Sequence, residues 1–402
     1  VFSILPYLYC NLINACKRLI KQFYNLTKKI MKISALDESG EPVDWWFIYK
    51  VPQLDGGVGN DKATGYEYVY YDSKIDANPD ARQRIIEKSP NVLNSDKGAL
   101  NLTMESVFKD FKTPAPTTGW ILYNDEMPES FSLNKHDDGT RGHTKGVLAF
   151  DTESETAFWL LHSWPKFMEP GAEKDPTPKY GQTYLCISLN LKTANEIAAQ
   201  MLKHQEPQIY NSNTANLPET SDLFTLTQPL KNHPDPLGDS IDLTSIGGMP
   251  FKVIAKNREW NKDFWNELVG IVLEDDLDVE TWIRGPIPPI ADSDGIHKTF
   301  DIKYINLGFM GAHWAWPETN DHAKWGVTLH DPWICVGDIN RMISQRKRGG
   351  GTIAFKNQTL WSGLSKTSLL LAPPGHNRTE AHVLIQKTHH LHAEAPPRTP
   401  PV

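Results

Sequence analysis

Arg141-Gly142-His143-Thr144-Lys145-Gly146-Val147-Leu148-Ala149-Phe150-Asp151 is the stretch from which the fold is read. Val147 to Phe150 is a short apolar run of the kind that forms a buried strand. If the strand takes in the His and the Lys as well, side chains two residues apart share one face. An imidazole and an ammonium then project side by side into one cleft. Such a pair suits a phosphate, because the imidazole attacks or donates a proton while the ammonium supplies fixed positive charge. A polar strand start near solvent would look the same. The stretch alone does not separate the two readings.

The pattern recurs in the second half of the chain. Asp321-His322-Ala323-Lys324-Trp325-Gly326-Val327-Thr328-Leu329 is again a His-x-Lys leading into an apolar run. Two copies imply an internal duplication, with two similar lobes bringing one pair each to a shared site. One His would attack phosphorus while the other, protonated, gives its proton to the leaving oxygen. Lys145 and Lys324 would neutralise the non-bridging oxygens. No cluster has metal-ligand spacing, and Asp137-Asp138 and Asp275-Asp276 read as solvated loop residues. Neither a metal nor a cofactor is expected.

Composition narrows the class. A chain of 402 residues makes two or three domains, or one large two-lobed one. No apolar run reaches the roughly 18–20 residues that span a bilayer. The net charge of −8 is not that of a basic nucleic-acid binder, but the 14 histidines would reverse its sign in acid. Four cysteines (Cys10, Cys16, Cys186, Cys335) form neither a disulfide scaffold nor a paired-Cys zinc site. Sequons at Asn25, Asn101, Asn357 and Asn377 lean towards secretion.

Along the chain, residues 1–34 read as a leader remnant, as an amphipathic helix outside any core, or as upstream of an internal start at Met31; these stay open. Strands are expected at Trp45–Lys50, Tyr66–Tyr71, Thr118–Asp125, Ala157–His162 and Tyr184–Leu189. Helices are expected over 98–112 and Thr193–Lys203. Residues 205–240 read as a long loop joining two halves. Phe251–Ala255, Phe264–Leu273 and Thr281-Trp282 continue the alternation, and Glu280-Thr281-Trp282 reads as structural. Trp333–Arg341 closes the ordered part before the basic, Gly-rich Arg346-Lys347-Arg348-Gly349-Gly350-Gly351-Thr352. Trp45, Trp46, Trp325 and Trp333 read as core. From about Leu371 the Pro- and His-rich tail reads as disordered.

A series of motifs, in order, resembles the deoxyribonuclease II family. They are Gly40-Glu41-Pro42-Val43-Asp44-Trp45-Trp46, Tyr123-Asn124-Asp125-Glu126, His143-Thr144-Lys145-Gly146, His162-Ser163-Trp164-Pro165, Gly181-Gln182-Thr183-Tyr184-Leu185-Cys186, Asp321-His322-Ala323-Lys324-Trp325, Val336-Gly337-Asp338-Ile339-Asn340-Arg341 and Arg348-Gly349-Gly350-Gly351-Thr352. That family is similar to the phospholipase D superfamily, whose fold packs two α/β halves about a pseudo-two-fold axis. The resemblance implies a mixed α/β catalytic domain over 35–370, with lobes of about 35–220 and 221–370 and a tail over 371–402. It implies a metal-independent acid endonuclease that leaves 3′-phosphate ends, lysosomal or secreted, with DNA as partner and a homodimer left open.

On the resemblance, His143, Lys145, His322 and Lys324 are catalytic, His143 attacking and His322 protonating the 5′-oxygen. Asn340 and Asp338 stand where the superfamily places a phosphate-orienting element. His162 and Ser163 are candidate phosphate or leaving-group contacts, and Arg348 a DNA-backbone contact. The superfamily's Asp seven residues after its His is absent, with Phe150 and Leu329 in those places. The family pattern has cysteines where Ala35 and Gly326 stand here, which puts its disulfide set in doubt. A secreted protein that keeps the fold and acts by binding DNA or a host partner is the alternative, and a phospholipase a weaker third.

Overall fold

The computed structural model describes residues 32–57, 60–109, 111–128, 141–167, 179–229, 234–286 and 297–372. Cys10, Cys16, the sequons at Asn25 and Asn377, Asp137-Asp138 and the tail lie outside them. The described chain forms two mostly antiparallel sheets. The first holds β1 (Trp45–Lys50), β2 (Tyr68–Asp72), β3 (Glu87–Lys88), β4 (Thr118–Tyr123), β5 (Gly146–Asp151), β6 (Thr156–His162), β7 (Gln182–Asn190) and β8 (Ile209–Asn213). The second holds β9 (Gly238–Thr244), β10 (Pro250–Lys256), β11 (Leu277–Thr281), β12 (Thr299–Asn306), β13 (Ala315–Pro317), β14 (Lys324–Thr328), β15 (Trp333–Gly337), β16 (Gly350–Lys356) and β17 (Ser368–Ala372).

The five central strands match in order, β1-β7-β6-β5-β4 in one sheet and β10-β16-β15-β14-β11 in the other. The first sheet runs β2-β1-β7-β6-β5-β4-β8 and the second β9-β10-β16-β15-β14-β11-β12, with β3 and β13 added at opposite ends and β17 also on β12. The edges differ: β2 follows β1 whereas β9 precedes β10, and β4 pairs antiparallel with β8, the last strand of its half, whereas β11 pairs in parallel with β12, the next strand in sequence.

β1 explains how the sheets pack. All six of its residues are buried, so neither face meets water. Alternation sends Trp45, Phe47 and Tyr49 into a core shared by both sheets, and Trp46 and Ile48 into the outer core beneath helix α1 (Ala99–Phe108). From the second sheet Phe355 meets Trp45 at 5.5 Å and Trp325 meets Tyr49 edge-on at 6.1 Å. Helices α2 (Leu191–Gln200) and α3 (Gln358–Thr367) cover the shared core with Ala194, Ile197, Ala198, Leu360 and Leu364. On the outer side of the second sheet, Phe264, Trp265, Val269 and Leu273 close a third cluster.

Several sequence expectations need correcting. Residues 205–240 are not one loop: they contain β8, the short helix Asp222–Leu226 and the start of β9. Order does not end at Arg341, because β16, α3 and β17 follow. Asp275 is buried, and its carboxylate accepts from His330 N, His330 Nδ1 and Asp331 N, so it is a loop organiser rather than a solvated residue. Asn357 is the buried N-cap of α3, and Asn101 lies inside α1 with its amide on the Leu93 and Lys97 carbonyls. Trp45, Trp46 and Trp325 are core, as expected, while Trp333 is only partly buried. Cys186 and Cys335 are buried free thiols. No helix among the described residues is long and apolar enough to cross a membrane.

Candidate active site

The two His-x-Lys pairs lie at matching ends of β5 and β14, but the strands start later than the side-chain pattern suggests. β5 begins at Gly146, one residue after Lys145, and β14 begins at Lys324 itself. What fixes each histidine is the other half of the chain. His143 N donates to Gly349 O at 2.8 Å, and His322 N donates to Gly181 O at 2.9 Å. His143 Nδ1 meets the Asp338 carbonyl, and His322 Nδ1 meets the Ser163 carbonyl at 2.9 Å. Gly349 and Gly181 immediately precede β16 and β7; Asp338 and Ser163 immediately follow β15 and β6. Each ring is therefore held by equivalent backbone atoms of the opposite sheet.

Close approach makes these junctions possible. A Cβ on Gly142 would lie 1.8 Å from Gln205 O, where Gly142 N now donates to Glu206 O. Gly181 and Asp321 form a short parallel bridge, and a Cβ there would lie 2.6 Å from the Asp321 carboxylate. Asp321, next to His322, accepts from Tyr49 Oη at 2.6 Å, Trp316 Nε1 at 2.7 Å and Ala323 N at 2.7 Å. That carboxylate ties the strand carrying His322 to β1 of the first sheet.

All four His and Lys side chains are buried. Lys145 Nζ lies 2.5 Å from Asp125 Oδ1, and His143 Nε2 lies 3.2 Å from Asp125 Oδ2. The first contact has the closeness of an ion pair without hydrogen-bond geometry. Burial works to raise the Asp125 pKa, but Lys145, His143 and Arg348 together hold it well below the usual carboxylate range. Burial lowers both histidines well below their ordinary value; the Lys145 charge adds to this for His143 and the Lys324 charge for His322. Lys324 is likewise pushed down by burial and by Lys145. Basic groups that depress one another's protonation in this way can be stabilised by an anion placed among them.

The other sequence candidates fall around these pairs in different roles. Ser163 Oγ donates to Gln182 Oε1 and accepts from Thr183 N at 3.0 Å, so its hydroxyl is engaged in the sheet while its carbonyl orients His322. His162 Nδ1 accepts from Trp164 N at 3.2 Å, its ring lies 4.0 Å from Phe167, and its buried Nε2 has no partner among the described residues. Burial pushes its pKa well down, with Lys145 adding to the effect. Asn340 is buried, and its Oδ1 has no partner among the described residues. The Arg348 guanidinium donates to the Arg141 and Gly142 carbonyls at 2.5 and 3.1 Å, strapping down the loop before His143. Lys256, pushed by burial to about 7, donates to the carbonyls of Gln345, Arg346 and Arg348 and shapes the loop that carries that strap.

Sequence reading missed three neighbours. Asp125 stood in a quoted motif but was not placed in the site. Trp282, read as structural, lies with its ring 4.5 Å from the His322 ring, and Tyr180 lies 5.8 Å from Trp282. The available signal was position: both Asp125 and Trp282 follow the strand that neighbours a His-x-Lys strand.

Asp338 carries a prediction. Burial raises its carboxyl from 3.8 to about 7, while Gly351 N donates to Oδ1 at 2.9 Å and Oδ2 has no partner among the described residues. A raised folded-state pKa means that the folded chain holds a proton the unfolded chain has lost. Its contribution is therefore full below the unfolded value and disappears as pH rises from 3.8 towards about 7. Asp338→Asn should flatten that part of the thermal-midpoint profile between acid and neutral pH. A variant profile as steep as the parent's would assign the slope elsewhere.

With the geometry established, comparison with known proteins becomes informative. The family model for deoxyribonuclease II matches residues 34–372. A putative deoxyribonuclease-2 of Burkholderia pseudomallei is 57% identical over 359 residues, covering 89% of this chain and 99% of that protein. The rat deoxyribonuclease-2-alpha is 33% identical over 337 residues, covering 82% and 91%. The deoxyribonuclease-2 of Caenorhabditis elegans is 32% identical, covering 83% and 92%. The matched region takes in both His-x-Lys elements and both sheets, and the chain belongs to the deoxyribonuclease II family.

Proposed function

We propose that the protein is a deoxyribonuclease II-type endonuclease that hydrolyses DNA phosphodiesters in acid without a metal, leaving 3′-phosphate and 5′-hydroxyl ends. Family membership supports the nuclease activity. The reciprocal anchoring of His143 and His322 by equivalent backbone atoms carries the mechanism. It supports a phospholipase D-type arrangement of two lobes, about 35–220 and 221–370, sharing one site. One imidazole takes the phosphoryl group as a phosphohistidine and the other protonates the leaving oxygen. Lys145 and Lys324 offset the charge on the non-bridging oxygens. His162 Nε2 and the Asn340 amide are the remaining groups on hand to orient the phosphate.

Acid dependence follows from the same geometry. Both rings are driven towards the neutral form, so the singly protonated pair exists only when protons are abundant. A lysosomal or secreted location, as the family resemblance implies, fits that requirement. Supercoiled plasmid nicked at about pH 5 in EDTA, with a sharp loss of rate towards neutrality, is the expected result. A folded sample that retains DNA at acid pH but leaves the plasmid intact would favour the non-catalytic binding reading.

A further inference from the structure

The two halves hold their histidines alike but do not face them alike. Tyr123 pairs with Gly146 on one ladder and Thr281 with Lys324 on the other. Followed outward, these registers bring Asp125 opposite Thr144 and Trp282 opposite Ala323, the middle residue of each His-x-Lys. Matching positions thus hold a carboxylate in one half and an indole in the other. Asp125 Oδ2 is 3.2 Å from His143 Nε2, and the Trp282 ring is 4.5 Å from the His322 ring.

Hydrogen-bond logic turns this difference into an assignment. His143 Nδ1 meets the Asp338 carbonyl, and its Nε2 lies 3.2 Å from Asp125 Oδ2, at ion-pair distance. The carbonyl calls for a proton on Nδ1, and the carboxylate beside Nε2 favours the charged ring. The acceptor on His322 is the Ser163 carbonyl, which takes the Nδ1 proton. The Lys324 ammonium, 3.1 Å from that same nitrogen, cannot donate to an N–H; it donates to the His322 carbonyl instead. The His322 ring is then neutral with its lone pair on Nε2.

We infer that His143 is the imidazolium acid and His322 the nucleophile, with Asp125 the positioning residue that decides which ring carries the proton. This rests on the two-histidine hydrolysis proposed above and reverses the order that the superfamily resemblance suggests. The charged groups facing His143 are Lys145, Asp125, Lys324 and Arg348, and of these Asp125 favours a charged ring. At His322 the largest charge effects, from Lys324, Lys145 and His143, all disfavour one, and the contact that favours it is the uncharged Ser163 carbonyl. An indole face attracts a cation less strongly than a carboxylate in contact. Two imidazolium rings beside these cations would repel, so the proton that acid supplies goes to His143.

In the first step His322 Nε2 bonds to phosphorus as the P–O5′ bond breaks, and the His143 Nε2 proton passes to O5′. In the second, water attacks phosphorus and yields a proton to neutral His143. The His322–phosphorus bond then breaks, leaving the 3′-phosphate and restoring both rings.

The test uses duplex DNA in which sulfur replaces the 5′-bridging oxygen at one phosphodiester, since a thiolate leaves without protonation. Loss of a general acid slows ordinary DNA by about 10²–10⁴-fold. His143→Ala should recover to within about tenfold of the parent enzyme on the sulfur substrate, and His322→Ala should cleave neither. Recovery by His322→Ala instead, or by neither variant while both stay folded by circular dichroism, would overturn the assignment. Parent-like cleavage of ordinary DNA by both variants would sink the two-histidine reading itself. Asp125→Asn adds a readout that a merely structural role would not move. Its alkaline limb should shift to lower pH on ordinary DNA, because the carboxylate charge that raises the His143 pKa is gone, and should stay in place on the sulfur substrate. An equal shift on both substrates would count against the role of Asp125.

Discussion

His143→Ala and His322→Ala should each lower DNA cleavage in acid by about 10³-fold or more, and the double variant should be little worse than either single one. The reason is structural. Each ring is anchored through the opposite half, His143 by Gly349 and Asp338 and His322 by Gly181 and Ser163. In the proposed mechanism the two act on one phosphorus in one step, and groups that act as a unit are not additive. A site in which each pair worked alone would instead leave each single variant with about half the parental rate and require the double variant for full loss. Plasmid nicking by the three variants, at matched thermal midpoints, separates the outcomes.

Strand identity was legible wherever apolar residues came in uninterrupted or alternating runs. β1 was read to the residue, and β5, β6 and β7 within two residues at each end, because strands buried on both faces write themselves as apolar runs. β8, only partly buried, carries Ile209-Tyr210-Asn211-Ser212-Asn213 and lacks that signal; it was read as loop. β16 was missed for a related reason. Gly350 and Gly351 open it because a side chain at Gly351 would meet Ile254 O and Ala255, so the sequence there resembles a turn.

The candidate site was legible through repetition. A lone His-x-Lys is ambiguous, whereas two at matching strand ends define a pair of rings that must meet. Its asymmetry was not legible, because Asp125 and Trp282 are alike only in position. One is acidic and one aromatic, and no sequence comparison aligns them. Their equivalence comes from ladder register, which only the folded sheets supply. Lys256 was hidden in the same way: its place beneath the 345–348 carbonyls is set by chain folding across β10 and β16, not by any local pattern.

Arg341→Met should be the most damaging substitution away from the reacting groups. The guanidinium is buried, with Nε 3.1 Å from Asp263 Oδ2 and Nη1 2.7 Å from Asp301 Oδ2. Its backbone N–H donates to Thr281 Oγ1 at 3.1 Å, on the strand that runs into Trp282. Methionine fills comparable volume but leaves two carboxyl groups buried without a cation, and breaking such a buried arrangement from one side costs about 3–5 kcal/mol. The sign of the pH dependence follows. Burial already raises Asp263, with Arg341 opposing the rise. Without the arginine the Asp263 carboxyl needs a proton to remain inside, so its folded pKa rises further above 3.8. The penalty is then smallest in acid and grows as pH rises towards neutrality. Urea midpoints at about pH 5 and about pH 7.5 should show the larger loss at the higher value. Adding Asp263→Asn and Asp301→Asn to Arg341→Met removes the stranded charges and should restore part of the stability and flatten the pH difference. An equal loss at both pH values, unchanged by those two further substitutions, would mean that Arg341 acts through packing alone.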